Sequence, residues 1–171
     1  MKTSHQVDIV IRIFYFMTIC YSFASRSRPT AFFETLDNII ALSYSDDYYV
    51  AAKLDNDDPQ IDEYRKRLPD YPKVTVYPGL STSKIHAINR GVSKDGWDIL
   101  CNISDDQRFL VKGFDNIIRE HMEPDTFLHF PDSFKGEKLC TMSIMDKAYY
   151  DRFGDVYNPA YNSLWADDEA Q

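Results

Sequence analysis

Four short runs of apolar, aromatic and β-branched residues stop abruptly at polar breaks, and the segments between them carry apolar side chains at helical spacing. Tyr21-Ser22-Phe23-Ala24 ends in Ser25-Arg26-Ser27-Arg28-Pro29, and Tyr48 to Leu54 ends in Asp55-Asn56-Asp57-Asp58-Pro59. Val74-Thr75-Val76-Tyr77 is closed by Pro78-Gly79, and Trp97 to Ile103 by Ser104-Asp105-Asp106-Gln107. Runs of this length and composition read as buried strands. Phe32, Phe33, Leu36, Ile39 and Ile40 recur at spacings of three and four, which predicts a helix from the Pro29 region to about Leu42. A short charged helix is expected over Gln60 to Leu68. Ser81 can cap a further helix that carries Ile85, Ile88 and Val92 and ends near Gly91. Leu110, Val111, Phe114, Ile117 and Ile118 continue the pattern as another helix.

Strands alternating with helices through residue 122 imply crossover connections, a mainly parallel sheet and helices on both faces, a three-layer α/β/α sandwich. Ligands of such sheets bind outside the carboxyl ends of the strands. The carboxylates at 55 to 58 and at 104 to 106 both fall on that edge. Beyond it the pattern changes: Thr126 to Phe130 and Leu139 to Ile144 read as strands, and Lys147 to Phe153 as a short helix before Gly154.

A chain of 171 residues with 44% hydrophobic and 15% aromatic content supports one sizeable core rather than two domains. Its formal charge of −8 disfavours general binding to nucleic-acid phosphates, which needs clustered Lys and Arg. A phosphorylated small molecule is still compatible, provided a divalent cation and a few local basic groups neutralise it. Cys20, Cys101 and Cys140 are odd in number and widely separated, so a reducing compartment is expected. The four histidines show no metal-ligand spacing.

Ile9 to Ala24 is strongly apolar, but Asp8 precedes it, Arg12 interrupts it, and it is shorter than the ~20 apolar residues of a spanning helix. A signal peptide would have only Lys2 as its positive flank. The reading adopted is an N-terminal extension over 1–20, then a buried strand that opens a domain over 21–171. The expected location is the cytoplasm, with peripheral membrane contact compatible.

Adjacent side chains of an extended segment point to opposite faces, so Asp105 and Asp106 should not converge on one ion. One can face a ligand while the other anchors the loop. A single carboxylate with water and phosphate oxygens makes a reasonable shell for Mg2+ or Mn2+, although Asp-Asp after a strand also serves as an ordinary helix cap. Asp55, nearest its strand end, can accept hydrogen bonds from a base N–H or from ribose hydroxyls; Asp-Asn-Asp-Asp-Pro is equally good turn chemistry. Arg26 and Arg28 can contact phosphate or orient that carboxylate.

Taken in order, these segments, together with Lys84-Ile85-His86-Ala87-Ile88-Asn89-Arg90-Gly91, resemble the nucleotide-binding half of GT-A-fold glycosyltransferases, particularly the inverting family two. The resemblance covers roughly Tyr21 to the C-terminus. It implies that Ala24 and Arg26 line the base pocket, that Asp55 reads the base, and that Lys84 and Asn89 lie near the nucleotide. It further implies Asp106 as the ligand of Mn2+ or Mg2+, with Asp105 toward the ribose or sugar. Ser104 stands where the common acidic motif has a carboxylate. Trp165-Ala166-Asp167-Asp168 resembles the family's later acidic motif, which makes Asp168 the candidate general base and Asp167 its alternate. Only three residues follow this motif, so the domain is expected to be C-terminally short. The implied activity is transfer of a sugar from a nucleotide-diphosphate-sugar donor to a hydroxyl of a glycan or lipid-linked carrier. A noncatalytic nucleotide-sugar-binding module is the first alternative. A nucleotidyltransferase is the second, lacking a glycine-rich, lysine-bearing phosphate loop.

Overall fold

A computed structural model describes residues 17–93, 95–131, 136 and 140–162. Strand β1 (Ile19–Ser25) is followed by α1 (Pro29–Leu42), β2 (Tyr48–Asp55), α2 (Ile61–Arg67) and a 3-10 turn at Leu68–Asp70. Then come β3 (Val74–Gly79), α3 (Lys84–Asn89), β4 (Ile99–Ile103) and α4 (Phe114–His121), and last β5 (Phe127–Leu128), β6 (Ile144–Asp146) and α5 (Lys147–Phe153). The sheet order is β3-β2-β1-β4-β6-β5. The β3-β2-β1-β4 part is parallel, and β6 pairs antiparallel with both β4 and β5.

Period-two alternation divides the sheet's side chains between two cores. Tyr21, Phe23, Val50, Leu54, Cys101 and Ile103 face α1 and α4, where Phe32, Phe33, Leu36 and Ile39 meet Phe114 and Ile118. Cys20, Ala51, Leu100 and Met145 face the other way, onto Ile85 and Ile88 of α3 and Tyr150 of α5. The result is the three-layer α/β/α sandwich expected from the alternation. Pro29 sits at the first position of α1, where its missing N–H is harmless. Gly154 closes α5 in the left-handed conformation. Among the described residues no helix is long and apolar enough to cross a membrane.

The structure departs from the sequence reading in five places. The first strand starts at Ile19, two residues before Tyr21. Leu110 and Val111 are not part of a helix; they are exposed, and α4 starts only at Phe114. The break comes at Gly113, whose φ of +81° disfavours any other residue and whose added Cβ would lie 2.4 Å from the Tyr44 ring. Ser83, not Ser81, caps α3, accepting from the His86 N–H. The fourth strand begins at Ile99, since Trp97 instead turns its ring edge-on to Tyr150. The strand expected over Thr126 to Phe130 is shorter, at Phe127–Leu128, and the one expected over Leu139 to Ile144 lies later, at Ile144–Asp146, with Leu139 outside the described residues.

Candidate functional site

The carboxyl ends of β1, β2 and β4 deliver their polar residues to one edge, and a web of charged hydrogen bonds ties those residues together. Asp55, the last residue of β2, is 5% exposed. Its Oδ1 accepts from Ser81 Oγ at 2.7 Å and Arg90 Nη2 at 2.8 Å, and its Oδ2 from Arg26 Nη1 at 3.0 Å. A carboxylate this buried requires such donors. Arg26 also reaches Asp57 at 2.6 Å, which holds the Asp57 carboxyl below its ordinary range. Asp58 turns inward and accepts from the Ser27 N–H at 2.6 Å and the Gln60 N–H at 2.8 Å, fixing the β1–α1 loop against the β2–α2 loop.

Asp105 and Asp106 diverge. Asp105 is buried and accepts from Ser25 Oγ at 2.8 Å and from Arg28 Nη1 at 2.5 Å. It therefore anchors the β4 loop to the β1 loop. Asp106 is exposed, and its Oδ1 accepts from Ser104 Oγ at 2.5 Å. Ser104 thus holds the exposed carboxylate in place. Gln107 fixes the loop further: its Oε1 takes the Ser104 N–H, and its Nε2 donates to the Thr141 carbonyl.

Beside Ser104 a cavity of about 100 Å³ opens between β1, β4 and α3, with Ala24, Lys84, Ile88, Asn102 and Tyr157 among its walls. Lys84 is exposed at the start of α3 and has no hydrogen-bond or ion-pair partner among the described residues. Asn89 is engaged elsewhere. Its Oδ1 accepts from the N–H groups of Val156 and Tyr157 at 3.1 and 3.0 Å, and its Nδ2 donates to the Tyr157 carbonyl at 2.6 Å. It holds the segment that forms the far wall. A wider, open hollow lies between the starts of α1 and α2, lined by Ser27, Arg28, Pro59 and Gln60. It lacks the cavity's buried polar floor.

The structure therefore brings together Ala24, Arg26, Arg28, Asp55, Lys84, Asp105 and Asp106 at one edge, with Asn89 bracing a wall. Asp167 and Asp168 lie outside the described residues. The sequence reading gave Ser25, Arg90 and Asn102 no site role and took Ser81 for a helix cap, whereas its hydroxyl bonds Asp55 and Arg90. Arg90 had a signal, since it falls inside the Lys84 to Gly91 segment. Asn102 had one too, a lone amide within an apolar strand.

For a divalent cation the protein offers little by itself. Among the described residues no group of three or more His, Cys, Asp or Glu is placed to hold a metal ion. Asp106 is one outward carboxylate, a donor set that suits a hard cation arriving with phosphate oxygens and water rather than a closed protein cage.

No family model matches the chain, and no curated protein sequence matches it. Solved structures do. A mannosyltransferase from Pyrobaculum calidifontis, in complex with GDP-Man and Mn2+, superposes with a TM-score of 0.72 at 14% identity, over 89% of this chain and 50% of that one. The present chain thus spans half the length of that enzyme. A 4-diphosphocytidyl-2C-methyl-D-erythritol synthase from Anaerococcus prevotii gives 0.58 at 13% identity, over 92% of this chain and 82% of that one. A nucleotidyl transferase from Methanothermobacter thermautotrophicus gives 0.54 at 13%, over 88% and 79%. At these identities the likeness speaks for the fold alone, and the fold is that of the nucleotide-diphospho-sugar transferases.

Proposed function

We propose that the chain binds a nucleotide-diphosphate sugar across the carboxyl edge of β1, β2 and β4 and transfers the sugar to a hydroxyl acceptor, on a glycan or lipid-linked carrier. The carrying observation is that the Arg26–Asp55 and Arg28–Asp105 ion pairs meet at that edge with the exposed Asp106 beside them, in a fold whose neighbours include a mannosyltransferase and a nucleotidyl transferase. Asp55, already oriented by Arg26 and Arg90, recognises the base or ribose. Arg28 and Lys84 lie along the path of the diphosphate. Asp106 would hold Mn2+ or Mg2+, and the ion, when bound, would neutralise charge growing on the departing diphosphate.

Asp105, closed into its contacts with Ser25 and Arg28, acts as an orienting residue and reaches the ribose or sugar only through the loop it fixes. Asp168, with Asp167 as alternate, is the general base that takes the acceptor hydroxyl's proton. Family two, inversion and the acceptor class rest on the sequence resemblance. The nucleotidyltransferase reading draws on two of the fold neighbours. Against it, the β1–α1 loop Ser25-Arg26-Ser27-Arg28 contains no glycine to let its backbone wrap a triphosphate.

The deciding experiment is calorimetric titration of the full chain with a panel of nucleoside diphosphates, with and without Mn2+. One of them should bind at least ~10-fold tighter with Mn2+, whereas Mn2+ alone should give little heat because one carboxylate makes a poor cage. Asp106→Asn should erase the metal-dependent gain and keep the metal-free affinity. Absence of metal-dependent binding to every diphosphate would sink the proposal.

A further inference from the structure

The sheet face beneath α3 carries a strip of polar side chains in an otherwise apolar layer. Ser22 of β1, Lys53 of β2, Asn102 of β4 and Ser143 just before β6 are all buried. Lys53 Nζ donates to Ser22 Oγ at 2.5 Å and to the Ile88 carbonyl. Ser143 Oγ donates to Tyr157 Oη at 2.9 Å. Asn102 differs. Its Nδ2 makes one long contact to Tyr157 Oη at 3.4 Å, and its Oδ1 has no partner among the described residues although the residue is 7% exposed. Exchanging the two amide atoms moves the vacancy from acceptor to donor without removing it.

A buried, unpaired amide oxygen costs stability, so its presence on the wall of a cavity asks for a group to complete it. The cavity is about 100 Å³. That is well below the ~300 Å³ lower end of ordinary ligand pockets and near the liquid volume of about three waters, at ~30 Å³ each. It can take a substituent, not a whole nucleotide. The lining is mixed, Ala24, Ile85 and Ile88 giving apolar walls while Asn102, Tyr157 and Lys84 add polar groups, a combination that suits the carbon skeleton and hydroxyls of a sugar. The cavity also lies on the β4 side of β1, adjoining Ser104, whereas Asp55 with its arginines occupies the β2 and β3 ends.

We infer that this cavity receives a hydroxyl-bearing substituent of the donor sugar, which donates its hydrogen bond to Asn102 Oδ1, and that Asn102 is a determinant of which sugar is accepted. The inference rests on the donor-binding reading above and adds the residue and the chemical group. Sugars lacking a hydroxyl at that position leave the oxygen unpaired and bind no better than the bare nucleotide.

The test is calorimetry on wild type, Asn102→Leu and Asn102→Ser, titrated with the nucleoside diphosphate that binds and with its hexose conjugates, with Mn2+ throughout. Wild type should bind one conjugate at least ~10-fold tighter than the bare diphosphate, and Asn102→Leu should abolish that gain while the diphosphate itself binds as before. A melting curve of Asn102→Leu establishes that the variant is folded. Asn102→Ser keeps a hydroxyl and serves if the leucine variant does not fold. Equal losses for diphosphate and conjugate, or no loss for either, would overturn the inference and leave donor binding standing. A wild type that binds no diphosphate overturns both together.

Discussion

Asp115→Ala will destabilise the protein by about 3–5 kcal/mol, the cost of breaking a buried ion pair from one side. For a chain of this size that lowers the melting temperature by roughly 10 °C, at ~2–4 °C per kcal/mol. Asp115 is 0% exposed and Arg119 is 1% exposed. The carboxylate accepts from the N–H groups of Tyr44 and Ser45, both at 2.9 Å, and from Arg119 Nη1 at 2.8 Å. Arg119 in turn donates from Nε to the Met17 carbonyl at 2.9 Å and from Nη2 to the Asp47 carbonyl at 3.0 Å. One pair therefore ties α4 to the α1–β2 loop and to the entry of β1. Alanine leaves a buried guanidinium without its counter-charge and two backbone N–H groups unpaired.

The pair also sets an acid limit. Burial pushes the Asp115 carboxyl up, but the Tyr44 and Ser45 N–H groups and Arg119 outweigh it, so its pKa lies below the ordinary 3.8. Its contribution is present above that ordinary value and is lost as pH falls through the depressed one. Urea unfolding of Asp115→Ala, Arg119→Met and the double variant measures the effect. The double variant should lose less than the sum of the two single variants.

This pair shows where sequence reading runs out. Helical spacing nominated Leu110 and Val111 for the core and gave no reason to bury Asp115 or Arg119. The structure does the reverse, because Gly113 ends the continuity of the pattern and the α1–β2 loop supplies two N–H groups that the Asp115 carboxylate accepts, one on each oxygen. Where strands were read from continuous apolar runs, as at Tyr48 to Leu54, burial on both faces left one solution, and β2 spans Tyr48–Asp55. Parallel order through β4 followed from the alternation. The antiparallel turn-back through β6 did not, since that strand has only three residues to announce it.

At the site, period two foresaw that Asp105 and Asp106 would diverge and could not say which would face solvent. That choice is made by Ser25 and Arg28, which capture Asp105 across the sheet edge, and by Ser104, which holds Asp106 outward. The same limit applies to Asn89, whose amide meets backbone groups 67 and 68 positions away. Spacing within a segment carries direction along a strand or around a helix. Partners from distant segments are fixed only by the closed sheet.

Lys53→Met will stabilise the protein below pH 7 and remove a rise in stability that wild type shows between about pH 7 and 8.5. Lys53 is 1% exposed. Burial, the largest influence, drags its ammonium down from 10.5 to about 7; the Cys20 thiol opposes this and Arg90 adds to it. Facing it are Ser22 and the Ile88 carbonyl, and among the described residues no carboxylate is bonded to it. Above pH 7 the folded protein releases a proton that the unfolded chain keeps until about pH 10.4, so the unfolded state binds more protons and stability rises with pH. The slope has a ceiling of about 1.4 kcal/mol per pH unit. Below pH 7 both states carry the proton and the full penalty of a buried cation remains.

Above about pH 8.5, where unfolded thiols ionise, the trend reverses. Burial raises the thiol of Cys20 to about 11 and that of Cys101 higher still, so there the folded state holds the extra protons. Wild type should therefore be most stable near pH 8.5. Urea denaturation of wild type and Lys53→Met from pH 6 to 9.5 isolates the lysine, because the thiol contributions cancel in the difference. That difference should favour the variant at pH 6 and shrink steadily above pH 7. A difference independent of pH would show that Lys53 stays protonated in the fold throughout, held by Ser22 and the carboxyl end of α3.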